Sequence, residues 1–475
     1  MITLSAGAKR LDGPDKLRGE TRFTQDHRLV GMLHLRPVLS PYACARIVAV
    51  DGAAARALPG VVGVLTAADL PELDVAGPDR PLAAGKVYFA GQPVAVVAAE
   101  TEAAAADAAA LVQVEYEELA AVVDPFAAME ASAPQVLEAR AEGFDDVSIH
   151  GGGAAEAEPQ ERPRNVSSVA AQRRGDAAAA LAAAEVVVGG RYVMPGAHQG
   201  FLEPHVVVVA PEAGGRVTIW SPTQGHHFVR EEVAKTLGLE PARVRVVAMP
   251  VGGGFGGKVV LLEPLAVLVA RHFGRPVQLA LTRTEEFLLG RPAPASHTDL
   301  KLGSLRDGTL TALQVEVVWD NGAASGWHGG FANRLFDSPY EIPAFAYRAY
   351  EVSTNKTPVD AYRAPSGTQT FFALESAMDE LARELGLDPI ELRLRNARTH
   401  LPGADGGEPA RVGLVEVLRA ARSHPLYTAP RPAGTGLGVA VGGWGGAVGA
   451  AAAGCRVEPD GSLTVTVGTP DISGS

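Results

Sequence analysis

Val244-Arg245-Val246-Val247-Ala248-Met249-Pro250-Val251-Gly252-Gly253-Gly254-Phe255-Gly256-Gly257-Lys258 is the stretch that decides how this chain folds. Its first eight residues read as a buried strand. The next seven contain five glycines. Without Cβ atoms such backbone can take φ > 0 and lets another group come against its N–H donors. Val259-Val260-Leu261-Leu262-Glu263-Pro264 then opens a long apolar element. A strand, bare backbone and an apolar element in this order present amides to an oxyanion or a phosphate. Phe255 stands in the middle, where it could form one wall of a cofactor site.

Gly252 to Lys258 also fits G-x-x-x-x-G-K, the spacing of a nucleotide-hydrolase phosphate loop. That loop needs Ser or Thr next, because the hydroxyl binds the magnesium of the nucleotide. Val259 follows instead and offers no ligand. The plainer alternative is a glycine-rich structural turn under a packed strand.

The chain has 475 residues, enough for two to four domains. With 54 Gly and 34 Pro, it favours turns and irregular connections over helical bundles. A net charge of −12 argues against a nucleic-acid binder and shows no polybasic membrane patch. Two cysteines, Cys44 and Cys455, exclude a disulfide scaffold or an iron–sulfur cluster held by this chain alone. No apolar run reaches the length of a membrane helix. Lys9-Arg10 is followed by Leu11-Asp12-Gly13-Pro14, not by an apolar signal core, so the expectation is a cytoplasmic protein.

Residues 1–125 read as one α+β unit. Within it, Val94 to Ala99 suggests a buried strand, and Thr101 to Val112 an Ala-rich helix capped by Thr101. Val114 to Glu117 alternates as a half-buried strand does. Residues 126–183, with Gly151-Gly152-Gly153 among them, read as a wrapping linker with little structure of its own. A strand-rich domain follows over 184–433. Val186 to Val188 and Val206 to Val209 are its expected core strands, and Phe228 to Leu237 a helix stopped by Gly238. Arg306-Asp307-Gly308-Thr309 and Pro459-Asp460-Gly461-Ser462 signal hairpin turns. Phe371 to Leu385 has helical periodicity, and Gly386 then Pro389 stop it. Residues 434–475 are too few to bury a core of their own.

Several segments together resemble one family, the molybdopterin-binding large subunits of the molybdenum hydroxylases. These include xanthine dehydrogenase, aldehyde oxidase and aerobic carbon monoxide dehydrogenase. The segments are Ser221-Pro222-Thr223-Gln224, Gly252 to Lys258, Ala361-Tyr362-Arg363-Ala364-Pro365 and Glu375 to Ala382. Gly386-Leu387-Asp388-Pro389 and Arg393-Leu394-Arg395-Asn396 extend the likeness. Asp12-Gly13, Gly31-Met32-Leu33-His34, Ser40-Pro41, Ala45-Arg46-Ile47 and Gly91 to Val97 resemble the family's hammerhead domain.

The resemblance implies an α+β chain. A hammerhead-type α/β domain over 1–125 leads, through the linker, to a first mixed α/β molybdopterin-binding domain over 184–433. The start of an incomplete second one follows over 434–475. It implies a molybdopterin cofactor with molybdenum, as the cytosine dinucleotide, held by Gly252, Gly253, Gly254, Phe255, Gly256, Gly257 and Gln224. Gln224 would hydrogen-bond an oxygen ligand of the metal, and its 31-residue offset from Phe255 matches the family. Arg363 would stabilise negative charge on the substrate, since a guanidinium stays cationic and presents a planar fork of donors. Its structural alternative is an ion pair with a carboxylate such as Glu375. No protein residue is expected to ligate the metal. His198, His205, His226 and His227 flank the region without diagnostic metal spacing, although Gln199, Glu203 and Pro204 resemble a substrate-pocket segment of the family, which would let His205 touch substrate.

The implied reaction is hydroxylation of an aldehyde or N-heterocycle with water as the oxygen source. Iron–sulfur and FAD cofactors would sit on partner subunits. Ala364 replaces the copper-binding Cys of the carbon monoxide dehydrogenases, and Val259 replaces the Glu that orients purines. Ser366-Gly367 replaces the family's common glycine after Pro365. The family's general base lies in a part of the subunit beyond residue 475, and neither Glu263 nor Glu203 is expected to substitute. The isolated chain is therefore expected to be inactive without its C-terminal half or a second chain. The competing expectation is a non-catalytic nucleotide-binding or assembly subunit.

Overall fold

The computed structural model describes residues 12–71, 73, 75–138, 162–401, 409–445, 451–470 and 472. Residues 9–11 and the Gly151-Gly152-Gly153 part of the expected linker lie outside the described residues. No helix among the described residues is long and apolar enough to cross a membrane.

The chain forms two compact units that are not sequential. The first gathers the described parts of 1–120, 198–291 and 452–475. Its seven-stranded sheet runs in the order Val244–Ala248, Val217–Ser221, Val206–Pro211, Val277–Ala280, Leu33–Leu39, Pro93–Ala99, Val61–Thr66. Every residue of Pro93–Ala99 is buried, which explains its unbroken apolar sequence: both faces of the strand are covered. Leu33–Leu39 pairs antiparallel with Pro93–Ala99 and parallel with Val277–Ala280. The N-terminal segment thus shares one sheet with strands from 206–280. The helix after Thr101 spans Glu102–Ala109, with the Thr101 hydroxyl accepting from the Ala104 amide at 3.1 Å. A second sheet pairs Ala45–Asp51 with Lys86–Val87 and Gln113–Glu118.

The second unit gathers the described parts of 121–197 and 292–451. Its five-stranded sheet runs Val166–Arg174, Ala344–Val352, Leu310–Asp320, Ala295–Ser304, Val186–Met194. Ala295–Ser304 and Leu310–Asp320 form the expected hairpin, with Gly308 at φ 89° in its turn. The helix read from its periodicity spans Gly367–Leu385 and ends at Gly386, whose φ is 66°. It buries Leu374, Met378 and Leu381 in a core with Trp319, Phe345 and Ile390.

Three expectations are corrected. The segment read as an unstructured linker contains the strand Val166–Arg174 and the helix Ala177–Ala183, capped by Asp176. That strand looks polar because it is a sheet edge, and its pairing with Ala344–Val352 supplies its order. Val186 to Val188 lies at the opposite edge, with Val187 46% exposed, and so is not core. Val244–Ala248 is also an edge strand and is only partly buried. Near the C-terminus, Ala453–Val457 and Leu463–Val467 pair as a hairpin whose residues are all exposed.

Candidate functional site

The glycine run follows the edge strand Val244–Ala248 in the first unit, and the helix Glu263–Phe273 begins beyond it. Thr223-Gln224 zips onto the end of the run. The Gln224 amide donates to the Lys258 carbonyl at 2.7 Å, and the Thr223 hydroxyl to the Val259 carbonyl at 2.8 Å. The Gln224 side-chain oxygen accepts from the amides of Gly256 at 2.7 Å and Lys258 at 3.3 Å. A Cβ on Gly254 would lie 2.6 Å from that oxygen, so only glycine lets the side chain lie against the run.

The expectation of bare donors along all of Gly252 to Gly257 is corrected. Gly252 donates to Glu203 at 2.7 Å, Gly256 to Gln224, and Gly257 to the Gly254 carbonyl at 2.9 Å. A folded loop must satisfy most of its amides, and here neighbouring side chains and a turn do so. The amides of Gly253, Gly254 and Phe255 have no hydrogen-bond partner among the described residues. Nor does the Gln224 side-chain NH2. Phe255 holds φ at 49°, a strained conformation for a bulky residue, and the residue is 37% exposed.

Two buried charge clusters hold the run from behind. Lys258 Nζ lies 2.8 Å from Glu203 Oε2 and over the Phe201 ring at 4.7 Å. Burial pulls the Lys258 pKa down, and the Glu203 carboxylate opposes that pull. Glu286 accepts from the His205 amide at 2.7 Å and lies 2.9 Å from His205 Nδ1. The other ring nitrogen, Nε2, meets the Gly257 carbonyl at 3.1 Å. His198 Nε2 stands 3.3 Å from Glu286 without hydrogen-bond geometry. Against desolvation, the two histidines hold the Glu286 pKa far below the ordinary carboxylate value. His205 therefore braces the loop, whereas its sequence context suggested a substrate contact.

Glu203 and Glu263 are both engaged in hydrogen bonds, Glu203 with Gly252 and Lys258 as above. Glu263 accepts from the Ser221 hydroxyl at 2.6 Å and the Leu261 amide at 2.9 Å. No group of three or more His, Cys, Asp or Glu among the described residues could hold a metal. Cys44 is buried and Cys455 exposed, and both are free.

Arg363 belongs to the second unit, so the expected site residues divide between the units. Its loop is strained: φ is 21° at Arg363, 61° at Ala364 and 63° at Ser366. The alternative ion pair with Glu375 does not form. Glu375 takes Arg393 Nε at 2.8 Å, the Tyr340 hydroxyl at 2.6 Å and the Val441 amide at 2.7 Å. Arg363 is exposed and has no carboxylate partner among the described residues.

Sequence reasoning missed the Glu286 cluster and the burial of Lys258. One signal was available: Thr282-Arg283-Thr284-Glu285 is a capping box that starts the helix Arg283–Leu289 and so places Glu286 in its first turn.

A family model described as molybdopterin cofactor-binding domain matches residues 158–397. A second, described as aldehyde oxidase and xanthine dehydrogenase, a/b hammerhead domain, matches residues 18–120. The chain belongs to this molybdenum hydroxylase family as a molybdopterin-binding subunit. It is 33% identical over 407 residues to a putative xanthine dehydrogenase molybdenum-binding subunit of Escherichia coli (strain K12), covering 82% of this chain and 51% of that one. It is 31% identical over 429 residues to the nicotinate dehydrogenase large molybdopterin subunit of Eubacterium barkeri, covering 88% and 95%. The fold matches quinoline 2-oxidoreductase from Pseudomonas putida 86 at TM-score 0.82 and 30% identity, covering 98% of this chain and 62% of that one. The chain thus spans about half of the first relative's length and under two thirds of the solved structure's.

The residues present fit a molybdopterin. The subunit offers three uncommitted backbone amides, an oriented side-chain NH2 and a half-exposed aromatic ring within one short loop.

Proposed function

We propose that this subunit binds molybdopterin cytosine dinucleotide and contributes half of a hydroxylase active site. The substrate class is an aldehyde or an N-heterocycle, with water as the oxygen source. The observation that carries the reading is the clamp on Gln224: two run amides fix its oxygen, so its NH2 is left as a directed donor. Gly253, Gly254 and Phe255 would donate to the cofactor, and Phe255 would wall it. When bound, the cofactor supplies a two-electron oxidant and a site for the water-derived oxygen. Gln224 orients a ligand by donation. Arg363, unspent in any ion pair, stabilises negative charge as it builds on the substrate.

Electrons would leave through iron–sulfur and FAD groups on partner subunits, since this chain's two cysteines cannot hold a cluster. No described carboxylate serves as the general base, so the chain alone is proposed to be inactive and to need a second polypeptide or segment. The Eubacterium barkeri relative supports this division, because a subunit of nearly this chain's span is named there as a large subunit.

Metal and nucleotide analysis of the purified complex tests the reading. Molybdenum with one releasable cytosine nucleotide per chain is the expected result. Bound ATP with magnesium, or no metal, would favour a nucleotide-binding or assembly subunit instead.

A further inference from the structure

Glu286 is a fully buried carboxylate with no part in the chemistry proposed above. Its helix, Arg283–Leu289, is pinned at its start. Thr282 and Glu285 cap each other reciprocally, and Glu285 takes Arg36 of the strand Leu33–Leu39 at 2.7 Å. Glu286 is therefore anchored, through its helix start, to the sheet.

From that fixed point a relay runs to the cofactor site. Glu286 holds the His205 backbone amide and ring Nδ1, which sets the ring plane. The ring then presents Nε2 to the Gly257 carbonyl. A trans peptide plane carries its carbonyl and the next amide N–H in opposite directions. Fixing the Gly257 carbonyl on His205 thus turns the Lys258 N–H the other way, and that N–H donates to Gln224 Oε1. Gly256 makes the second bond to the same oxygen. We infer that Glu286 and His205 are positioning residues, which aim the Gln224 NH2 through the Gly257–Lys258 peptide. The inference rests on the molybdopterin reading of this loop.

The test measures how long the native complex retains molybdenum at a temperature well below its melting transition. His205→Phe removes both ring contacts, and Glu286→Gln keeps the shape while removing the charge. His205→Gln keeps a side-chain donor near the Gly257 carbonyl. Outer partners of this kind typically matter about 10–100-fold in metal affinity. The expected result is release about tenfold faster or more for His205→Phe and Glu286→Gln, with His205→Gln substantially rescued. Glu375→Gln, at another buried carboxylate, in the second unit, should lower the melting temperature without changing release.

A double variant separates positioning from bulk stability. If the relay acts through Gln224, adding His205→Phe to Gln224→Ala should not accelerate release further. Additive effects, wild-type retention in His205→Phe, or no rescue by His205→Gln would each overturn the inference. Should His205→Phe fail to fold, Glu286→Gln, tested singly and with Gln224→Ala, decides the matter. A wild-type complex without molybdenum would overturn the cofactor reading itself, a result distinct from any variant behaviour.

Discussion

The glycine run and the Arg363 loop are both strained, yet they are held in opposite ways. Behind residues 252–258 stand Lys258, His205 and Glu286, buried, with the partly buried Glu203, and all four are paired. Around residues 363–366 the contacts are neutral. Gly367 donates to the Ala364 carbonyl at 2.8 Å, and the Ser366 hydroxyl bonds His328. The difference follows from what each loop presents. The run offers neutral amides, so charges can serve as its scaffold. The second loop offers a guanidinium, and any buried carboxylate beside it would neutralise that charge.

The largest test of this contrast is Lys258→Met. It leaves the largely covered Glu203 beside only the Gly252 amide, and an uncompensated buried charge costs up to about 3–5 kcal/mol. Urea unfolding should show that loss as a lower midpoint, partly restored by adding Glu203→Gln. A loss under about 1 kcal/mol, the range of an exposed pair, would mean that the run is not charge-braced. Arg363→Ala should behave in the opposite sense. An exposed residue outside any network changes stability by at most about 0.5 kcal/mol. Turnover by the assembled enzyme should nevertheless fall about 10²–10³-fold, the usual effect of deleting one electrostatic donor. A stability loss as large as that of Lys258→Met would erase the contrast.

Much of this was legible in the chain. Gly367–Leu385 and Pro93–Ala99 follow from periodicity and apolar continuity, and the two hairpin turns follow from their Asp-Gly pairs. The approach of Gln224 to the run was readable through resemblance. Partners set by tertiary pairing were not legible. Nothing local in Leu33–Leu39 announces a parallel neighbour some 240 residues later. Val166–Arg174 reads as a linker because an edge strand borrows its order from its partner. Glu286 was missed because a single charge in an ordinary helix start gives no sign of burial.

Two buried carboxylates sharpen the contrast between the units through pH. Glu286, flanked by histidines, is held well below the usual carboxylate pKa. Glu351, in the second unit, has only neutral donors, the Gly329 amide and Asn321 Nδ2, and burial pushes it up to about 7. Between its ordinary value and about 7 the folded state binds more protons than the unfolded one. Its stability contribution is therefore complete at low pH and lost as pH rises to 7, by about 3 kcal/mol at 1.36 kcal/mol per unit. Glu286 works in reverse: its contribution is present above the ordinary value and is lost as pH falls below it. Glu351→Gln should remove the decline between pH 4.5 and 7 in urea titrations, with the wild-type minus variant difference isolating this group. Parallel curves for the two proteins would show that Glu351 carries no such linkage.

The smallest expected effect lies in the Arg363 loop itself. Ser366 takes φ 63°, a conformation that costs a non-glycine residue about 1 kcal/mol, and glycine would relieve it. Glycine also widens the unfolded ensemble, an opposing term of about 0.5–1 kcal/mol. The decisive term is the hydroxyl. Ser366 Oγ donates to the His328 carbonyl at 3.2 Å and lies 3.3 Å from His328 Nδ1. That ring is fully buried beside Trp319 and Trp327 and stays neutral, its pKa pushed down to about 3 by desolvation. Since the hydroxyl hydrogen goes to the carbonyl, Nδ1 must carry the ring proton and donate it to Oγ. Ser366→Gly deletes both bonds and strands a buried donor, at about 1 kcal/mol or slightly more. The sum is a destabilisation of about 0.5–1 kcal/mol with an unchanged denaturant slope. A stabilised variant would show backbone strain outweighing the hydroxyl, and the neutral latch would then not be what holds the Arg363 loop.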